Sequence, residues 1–491
     1  MRRLLVGSAV ALVCVATLAA LAVIGKAWWD SRLPDAYSVM DYGTVDHGGG
    51  AEGGWHAYGA HGGGVSVADL HGPAGVPDAR FTLTAREATI RLTSGRSVDA
   101  LTFDGRSPGP ELRVRQGDLV EVTLENEDIE QGVTIHWHGV DVPNAEDGVA
   151  GVTQDAVLPG EHHVYRFRAE QVGTFWYHSH QVSSKEVRRG LLGALVIEPK
   201  EGSSYAVDQV LVAHTYDGVP TLNGSDQLQQ QRIAPGTTVR FRLVNSDSTR
   251  HRFVIAGAPV RVEALDGSDL NEPSLLRDPA VEIAGGGRVD VAFAMPAVPV
   301  WLTWDETGVG VALNKRGRSA PLVPAPASFD PLTYGRPATT PFGASSHFDR
   351  RFDLTLTRKP GFLRGRPGMQ WAINGKIFPH MPVFVVDEGD LVEVTITNDT
   401  SADHPMHLHG HHVLVLDRDG EAVSGSPWWA DTLDVRPGER YRVAFRADNP
   451  GVWMDHCHNL PHAADGLTMH VMYAGVTTPF RVGDAAGNEP E

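Results

Sequence analysis

Gly117-Asp118-Leu119-Val120-Glu121-Val122-Thr123 recurs as Gly389-Asp390-Leu391-Val392-Glu393-Val394-Thr395, and an asparagine follows each copy three residues on, Asn126 and Asn398. A weaker copy, Pro235-Gly236-Thr237-Thr238-Val239-Arg240-Phe241, leads to Asn245. A turn followed by a strand with apolar residues at every second position has therefore been used three times. A second repeat accompanies the first. Pro159-Gly160-Glu161 precedes Tyr165-Arg166-Phe167-Arg168-Ala169 and then His178, and Pro437-Gly438-Glu439 precedes Tyr441-Arg442-Val443-Ala444-Phe445-Arg446-Ala447 and then His456, with nineteen residues from proline to histidine in both. The corresponding stretch of the middle unit, Gly286-Gly287-Arg288-Val289-Asp290-Val291-Ala292-Phe293, runs to Trp301-Leu302-Thr303-Trp304 without a histidine. Many short Val-, Thr-, Phe- and Tyr-rich strands bounded by Gly, Pro and Asp predict an all-β chain of three consecutive Greek-key β-sandwiches. The outer units are therefore expected to carry the metal, and the middle one to space them.

The chemistry concentrates in His456-Cys457-His458-Asn459-Leu460-Pro461-His462, which sets the only cysteine outside the N-terminal apolar run between two histidines. Cys14, the other cysteine, lies inside that run, so a disulfide does not explain Cys457. A buried inert cysteine would leave the histidines unexplained. On an extended segment successive side chains alternate faces, so His456 and His458 point one way and Cys457 the other, and one tripeptide can serve two metal sites. A thiolate with two imidazoles and a weak or missing axial ligand is the set of a blue copper centre, with His404 and His462 as candidate imidazoles. His136-Trp137-His138, His178-Ser179-His180 and His407-Leu408-His409 repeat the His-x-His spacing, and with His456 and His458 they give eight imidazoles. One such pair is as easily a polar strand face as a ligand pair, and imidazole alone suits zinc, copper, iron or nickel. Four pairs beside a thiolate are a far more specific signal.

Over residues 81–473 the chain resembles the multicopper oxidase family, in particular its three-domain laccase-like members. The resemblance implies cupredoxin-like sandwiches and four copper ions. It makes His404, Cys457 and His462 the type 1 ligands, His136 and His407 the type 2 ligands, and His138, His178, His180, His409, His456 and His458 those of the type 3 pair. It implies that a trinuclear cluster forms between the first and third units, four imidazoles from each. The implied partners are dioxygen, reduced to water, and a small reducing donor, by default a phenol or aromatic amine. Alternatives are a metallo-oxidase of cuprous, ferrous or manganous ions, a non-catalytic copper-binding or assembly relative, and a copper-trafficking protein. Ten residues past the cysteine, where many members place an axial methionine, stands Leu467, with Met469 on the same strand face two residues on. Leucine has no donor atom, which predicts a three-coordinate type 1 copper of raised potential unless Met469 coordinates instead. Asp147 resembles the family's acidic residue beside the trinuclear site, a proton relay on that reading and a turn aspartate ahead of Gly148 on the other. The glutamate some relatives carry after the last type 1 histidine is Ala463 here, with Asp465 as a displaced substitute. His411 and His412 read as groups behind the ligands or at the surface, and His162, His163 and His470 as ordinary polar residues.

The domains are expected at 79–200, 201–313 and 351–480, with a Pro-rich linker at 314–350 (Pro321, Pro324, Pro326, Pro331, Pro337) and a tail at 481–491. Residues 1–28 form the signal or anchor. Within them residues 4–24 are uncharged, long enough as a helix at about 1.5 Å per residue to span the roughly 30 Å hydrocarbon core. Arg2 and Arg3 before it and Trp28 and Trp29 after it favour a membrane anchor with the body outside the cytoplasm, the alternative being secretion after signal cleavage. Residues 29–78, rich in glycine and holding His47, His56, His61 and His71, read as a flexible tether with some capacity to collect metal. A net charge of −18 argues against a nucleic-acid partner. Methionine is scarce and shows no cluster along the sequence of the kind that would suit cuprous donors.

Overall fold

The computed structural model describes residues 2–49, 64–305, 307–314, 327–483 and 485–491. The three repeats occupy one equivalent position in three sheets. Leu119–Asn126, Thr238–Asn245 and Leu391–Asn398 each pair in parallel with an earlier strand (Ala79–Arg91, Val207–Tyr216, Arg350–Leu363) and antiparallel with a later one (His162–Arg168, Arg288–Ala294, Arg440–Arg446). Their alternate apolar residues, such as Val120, Val122 and Leu124, are fully buried, as period-two patterning requires of a sheet with one face in a core.

The repeated asparagine has a structural reason. Asn126 donates to the carbonyls of Ile129 and Val157 at 2.9 and 2.7 Å and accepts the Ile129 N–H at 2.8 Å. Asn245 donates to the carbonyls of Thr249 and Ile283, and Asn398 to those of Ala402 and Val435. A buried amide is tolerated only when its donors are used, and here it ties the strand to its exit loop and to the facing sheet through Ile283 and Val435, or in the first unit to Val157 ahead of the neighbouring strand His162–Arg168.

A second sheet faces each of these and encloses its own apolar core. In the first unit that sheet runs Leu112–Arg115, Leu192–Glu198, Gly173–His178, His136–His138. In the third it runs Thr44–Asp46, Pro382–Val386, Thr468–Tyr473, Val452–Cys457, His404–Leu408, Thr432–Val435. The ligand-bearing strands are thus neighbours, with His136 opposite His178 and His407 opposite His456.

The segment expected as a flexible tether is pinned at two places in the structure. Thr44–Asp46 adds a parallel edge strand beside Pro382–Val386, and Val65–Ser66 pairs with Val476–Thr477. The open edge of the third unit's sheet offers unpaired backbone groups that an extended segment satisfies. His71 lies 3.3 Å from Glu146. His56 and His61 lie outside the described residues, as do Pro321, Pro324 and Pro326 of the linker. Arg2–Asp30 is one helix, and its apolar side chains from Leu12 to Ile24 are exposed.

Candidate metal centre

Cys457 ends the Val452–Cys457 strand and is fully buried. Its Sγ lies 3.5 Å from His404 Nδ1 and 3.7 Å from His462 Nδ1. His404 opens the neighbouring strand, while His462 comes from the short Leu460–Ala464 helix that follows Cys457. The Thr400 hydroxyl lies 2.8 Å from His404 Nε2, which leaves Nδ1 aimed at the sulfur. The Trp371 ring packs against both imidazoles, with centroids 4.9 and 4.5 Å away. Burial pushes the Cys457 thiol well above its usual range and holds His404 down to about 3 and His462 down to about 4. Both rings are therefore neutral, the form that binds metal.

Register separates the two axial candidates. The Cys457 N–H donates to the Leu467 carbonyl at 3.1 Å, whereas Met469 stands opposite Asp455, one strand step further on. Leu467 is the residue across from the thiol. We therefore expect Leu467→Met to introduce a thioether, lower the type 1 potential and slow oxidation of weakly reducing donors. Redox titration of the visible thiolate–copper band measures it, and an unchanged potential would place the axial position elsewhere.

The eight remaining imidazoles converge from both outer units as His136 and His407, His138 with His178 and His458, and His180 with His409 and His456, the donor atoms within each triad lying inside 4.8 Å of one another. Two ring nitrogens each about 2.0 Å from one metal sit roughly 3.3–3.5 Å apart. Observed separations are 3.4 Å for His136 Nε2 to His407 Nε2, 3.4 Å for His180 Nε2 to His456 Nε2, and 3.2 Å for His409 Nε2 to His456 Nε2.

The outward nitrogens are held by oxygen. His136 Nδ1 donates to the Asp147 carbonyl and His407 Nδ1 to the Asp431 carbonyl, both at 2.9 Å. His409 Nδ1 donates to the Asp147 carboxylate at 3.0 Å, His180 Nδ1 to the Pro490 carbonyl at 2.9 Å, and His178 Nδ1 to the Ser179 carbonyl at 3.0 Å. His138 Nε2 sits 2.9 Å from the Thr432 hydroxyl and 3.2 Å from the Asp431 carboxylate. Among the eight rings, His456 Nδ1 faces Glu491 Oε1 without a hydrogen bond, and His138 Nδ1, His178 Nε2 and both nitrogens of His458 stay unpartnered, all buried. Buried imidazole nitrogens without partners, converging in one triad, fit a metal ion and little else.

Asp147, expected beside the cluster, is there and touches two ligands. Asp465 is exposed, and its charge acts on His462. His411 is buried against Tyr473, whose hydroxyl is 2.7 Å away. Burial lowers His412, but Asp141 and Asp431 outweigh it and push that ring up to about 10. The sequence reading missed Asp431, Thr432, Arg288 and Glu491. Glu491 lies with Oε1 3.2 Å from His456 Nδ1, and it lines one cavity with Ala463 and with Met381, Met454 and Met469. The methionines gather there by folding from positions far apart in the chain.

One site of thiolate and two imidazoles, beside eight imidazoles shared by two β-sandwiches, defines a copper protein built for oxidation. The chain belongs to the multicopper oxidase family. Multicopper oxidase family profiles match residues 84–202 and 351–475. The crystal structure of a multi-copper oxidase from Pseudomonas thermotolerans is 30% identical, with a TM-score of 0.66, covering 81% of this chain and all of that one. Laccase-1 of Botryotinia fuckeliana is 28% identical over 80% of this chain and 82% of its own. The iron transport multicopper oxidase FET3 of Kluyveromyces lactis is 24% identical over 76% of this chain and 72% of its own. The sandwiches are cupredoxin-like, and the cofactors are four copper ions, one type 1, one type 2 and two type 3.

Burial, reinforced in most of these rings by neighbouring imidazoles, lowers nine histidines of the two clusters below the usual 6.5: His138, His178, His180, His404, His407, His409, His456, His458 and His462. An unfolded chain takes up protons on these rings below pH 6.5 while the folded one does not, so the copper-free fold loses stability as pH falls. Each ring contributes a slope of about 1.4 kcal/mol per pH unit between its unfolded and folded values. Buried carboxyls pull the other way: Asp266, Asp434, Asp455 and Glu491 are raised to about 7, 6, 7 and 8, and Glu186 and Asp269 are raised too, but these six stand against the nine rings and four further lowered histidines, His163, His214, His411 and His470. The melting temperature of copper-free protein should fall steeply from pH 6.5 to 4, and a flat profile would contradict the burial of these rings.

Proposed function

We propose that the protein is a laccase-like oxidase that takes single electrons from phenols or aromatic amines beside His462 and reduces dioxygen to water at the eight-imidazole site. The observation that carries this is the covalent adjacency of His456, Cys457 and His458, with the sulfur facing His404 and His462 and the flanking rings in two different type 3 triads. When bound, the coppers supply one-electron acceptance at the thiolate and four-electron delivery to dioxygen. The chain itself supplies the rest. Rings exposed by at most 1% exclude bulk water from the eight-imidazole site. Asp147 accepts the His409 Nδ1 proton and is the carboxylate positioned to pass protons inward.

An aromatic donor is favoured by the surface around His462. Trp371 lies buried against that ring, and the exposed Arg358 guanidinium stacks 4.5 Å over it, offering a planar cation on which an aromatic ring can stack. Asp465 beside His462 is the feature that favours the second reading, oxidation of a metal cation, as the name of the iron transport relative suggests for that protein. Steady-state kcat/KM on copper-loaded protein, with phenols against ferrous, cuprous and manganous ions, decides between them. Phenol oxidation should dominate, and a ferrous or cuprous preference would overturn the laccase-like assignment.

The proposed domains are residues 79–200, 201–313 and 351–480. In this reading the exposed N-terminal helix anchors the body outside the cytoplasm, or is cleaved on secretion.

A further inference from the structure

The turn Ala284-Gly285-Gly286-Gly287-Arg288 belongs to the middle sandwich, which donates no ligand, yet it forms a wall of the eight-imidazole site. Gly286 has φ +85°, and a Cβ built on it would stand 2.8 Å from Cγ and 2.9 Å from Nδ1 of His458. Only a residue without a side chain lets the backbone approach the imidazole this closely. The Gly286 carbonyl accepts Trp176 Nε1 at 3.1 Å, and the Trp176 ring packs on His178, His138 and His458 with centroids 4.3, 5.0 and 5.4 Å away. His458 depends on this contact more than any other ring, because neither of its nitrogens has a hydrogen-bond partner.

Arg288 works on the same triad from the other side. It is 1% exposed, and its Nη1 donates to Asp431 Oδ1 at 2.6 Å while Nη2 donates to Oδ2. Its Nε donates to the carbonyl of Thr174 in the first unit at 3.1 Å. Asp431, in the third unit, accepts the Thr432 hydroxyl at 2.8 Å, and both groups face His138 Nε2. A bidentate guanidinium–carboxylate pair has one good geometry, and here it fixes the carboxylate that fixes the ring.

We propose that the 284–288 turn of the middle domain is a positioning element for one type 3 copper, that of His138, His178 and His458. The trinuclear site is then assembled from three domains, two giving ligands and one setting the angles of two of them. The inference rests on assigning those three rings to one copper, and the type 1 band serves as a control independent of it.

The test uses Gly286→Ala, Arg288→Met and Arg288→Lys in the full chain. For the first two, copper affinity at the type 3 pair should fall about 10- to 100-fold, the loss typical when groups behind metal ligands are removed. On dialysis they should lose the near-ultraviolet type 3 absorption and copper below four per chain, with the visible thiolate–copper band retained. Arg288→Lys, which keeps the charge without the fork, should recover part of the absorption. Full copper and unaltered near-ultraviolet absorption in both Gly286→Ala and Arg288→Met would overturn the proposal. So would simultaneous loss of the visible band and all copper in both Arg288 variants, since that would make the residue a general support of the fold.

Discussion

Cys457→Ser should give a colourless protein whose oxidation of any donor is at background, while type 2 paramagnetic resonance and type 3 near-ultraviolet absorption persist. Serine matches the thiol in shape but offers a neutral hydroxyl where a soft, anionic sulfur is required between two imidazoles. Cys457 is fully buried, so the substitution leaves a buried hydroxyl near two ring nitrogens now 3.5 and 3.7 Å from the sulfur, at a cost of about 1–3 kcal/mol if it finds no partner. That is within the roughly 5–15 kcal/mol stability of a domain, so the fold should survive. The neighbouring rings should also survive in place. His456 is met by Glu491 and by the facing rings, and His458 is wedged by Gly286 and Trp176, none of which touches the sulfur. Blue colour or donor turnover in this variant would remove the type 1 assignment.

The clustering histidine pairs were visible in the sequence because a strand encodes its own geometry. His136 and His138, or His407 and His409, are two residues apart for the same reason Val120 and Val122 are, and a spacing of two can be read without a structure. The repeated asparagines were visible as a pattern, but their use was not, since each amide is satisfied by carbonyls up to 38 residues away. The groups behind the ligands left no such trace. Asp431 meets His138 across 293 residues and Arg288 across 143, so each is a single charged residue whose significance comes only from packing. The middle unit therefore read as a spacer, since the absence of a His-x-His pair there was plain and the contact of Gly286 with His458 was not. The same blindness applied to the tether, where Thr44–Asp46 is too short to announce itself as an edge strand.

Asp147 is where holding a ligand and handling a proton can be separated by two substitutions. Its carboxylate receives His409 Nδ1 at 3.0 Å and also lies 3.1 Å from His136 Nδ1, whose proton its own backbone carbonyl receives at 2.9 Å. Asp147→Ala removes the carboxylate from both rings but keeps the main-chain hydrogen bond to His136. It leaves a buried imidazole N–H unpaired, and copper affinity should drop about 10- to 100-fold with activity following it. Asp147→Asn keeps an oxygen in the same place to accept that N–H but carries no charge and cannot shuttle a proton at neutral pH. Copper content and the near-ultraviolet band should therefore stay at the native level while kcat falls by about 10²- to 10⁴-fold, the usual contribution of a positioned acid or base. The deficit should lessen as the pH is lowered, because protons then reach the site without the relay. Should the asparagine variant turn over at the native rate with full copper, the carboxylate's role would reduce to orienting His409. The protons for dioxygen would then have to arrive by another route, for which the buried Glu491 beside Ala463 is the next group to substitute.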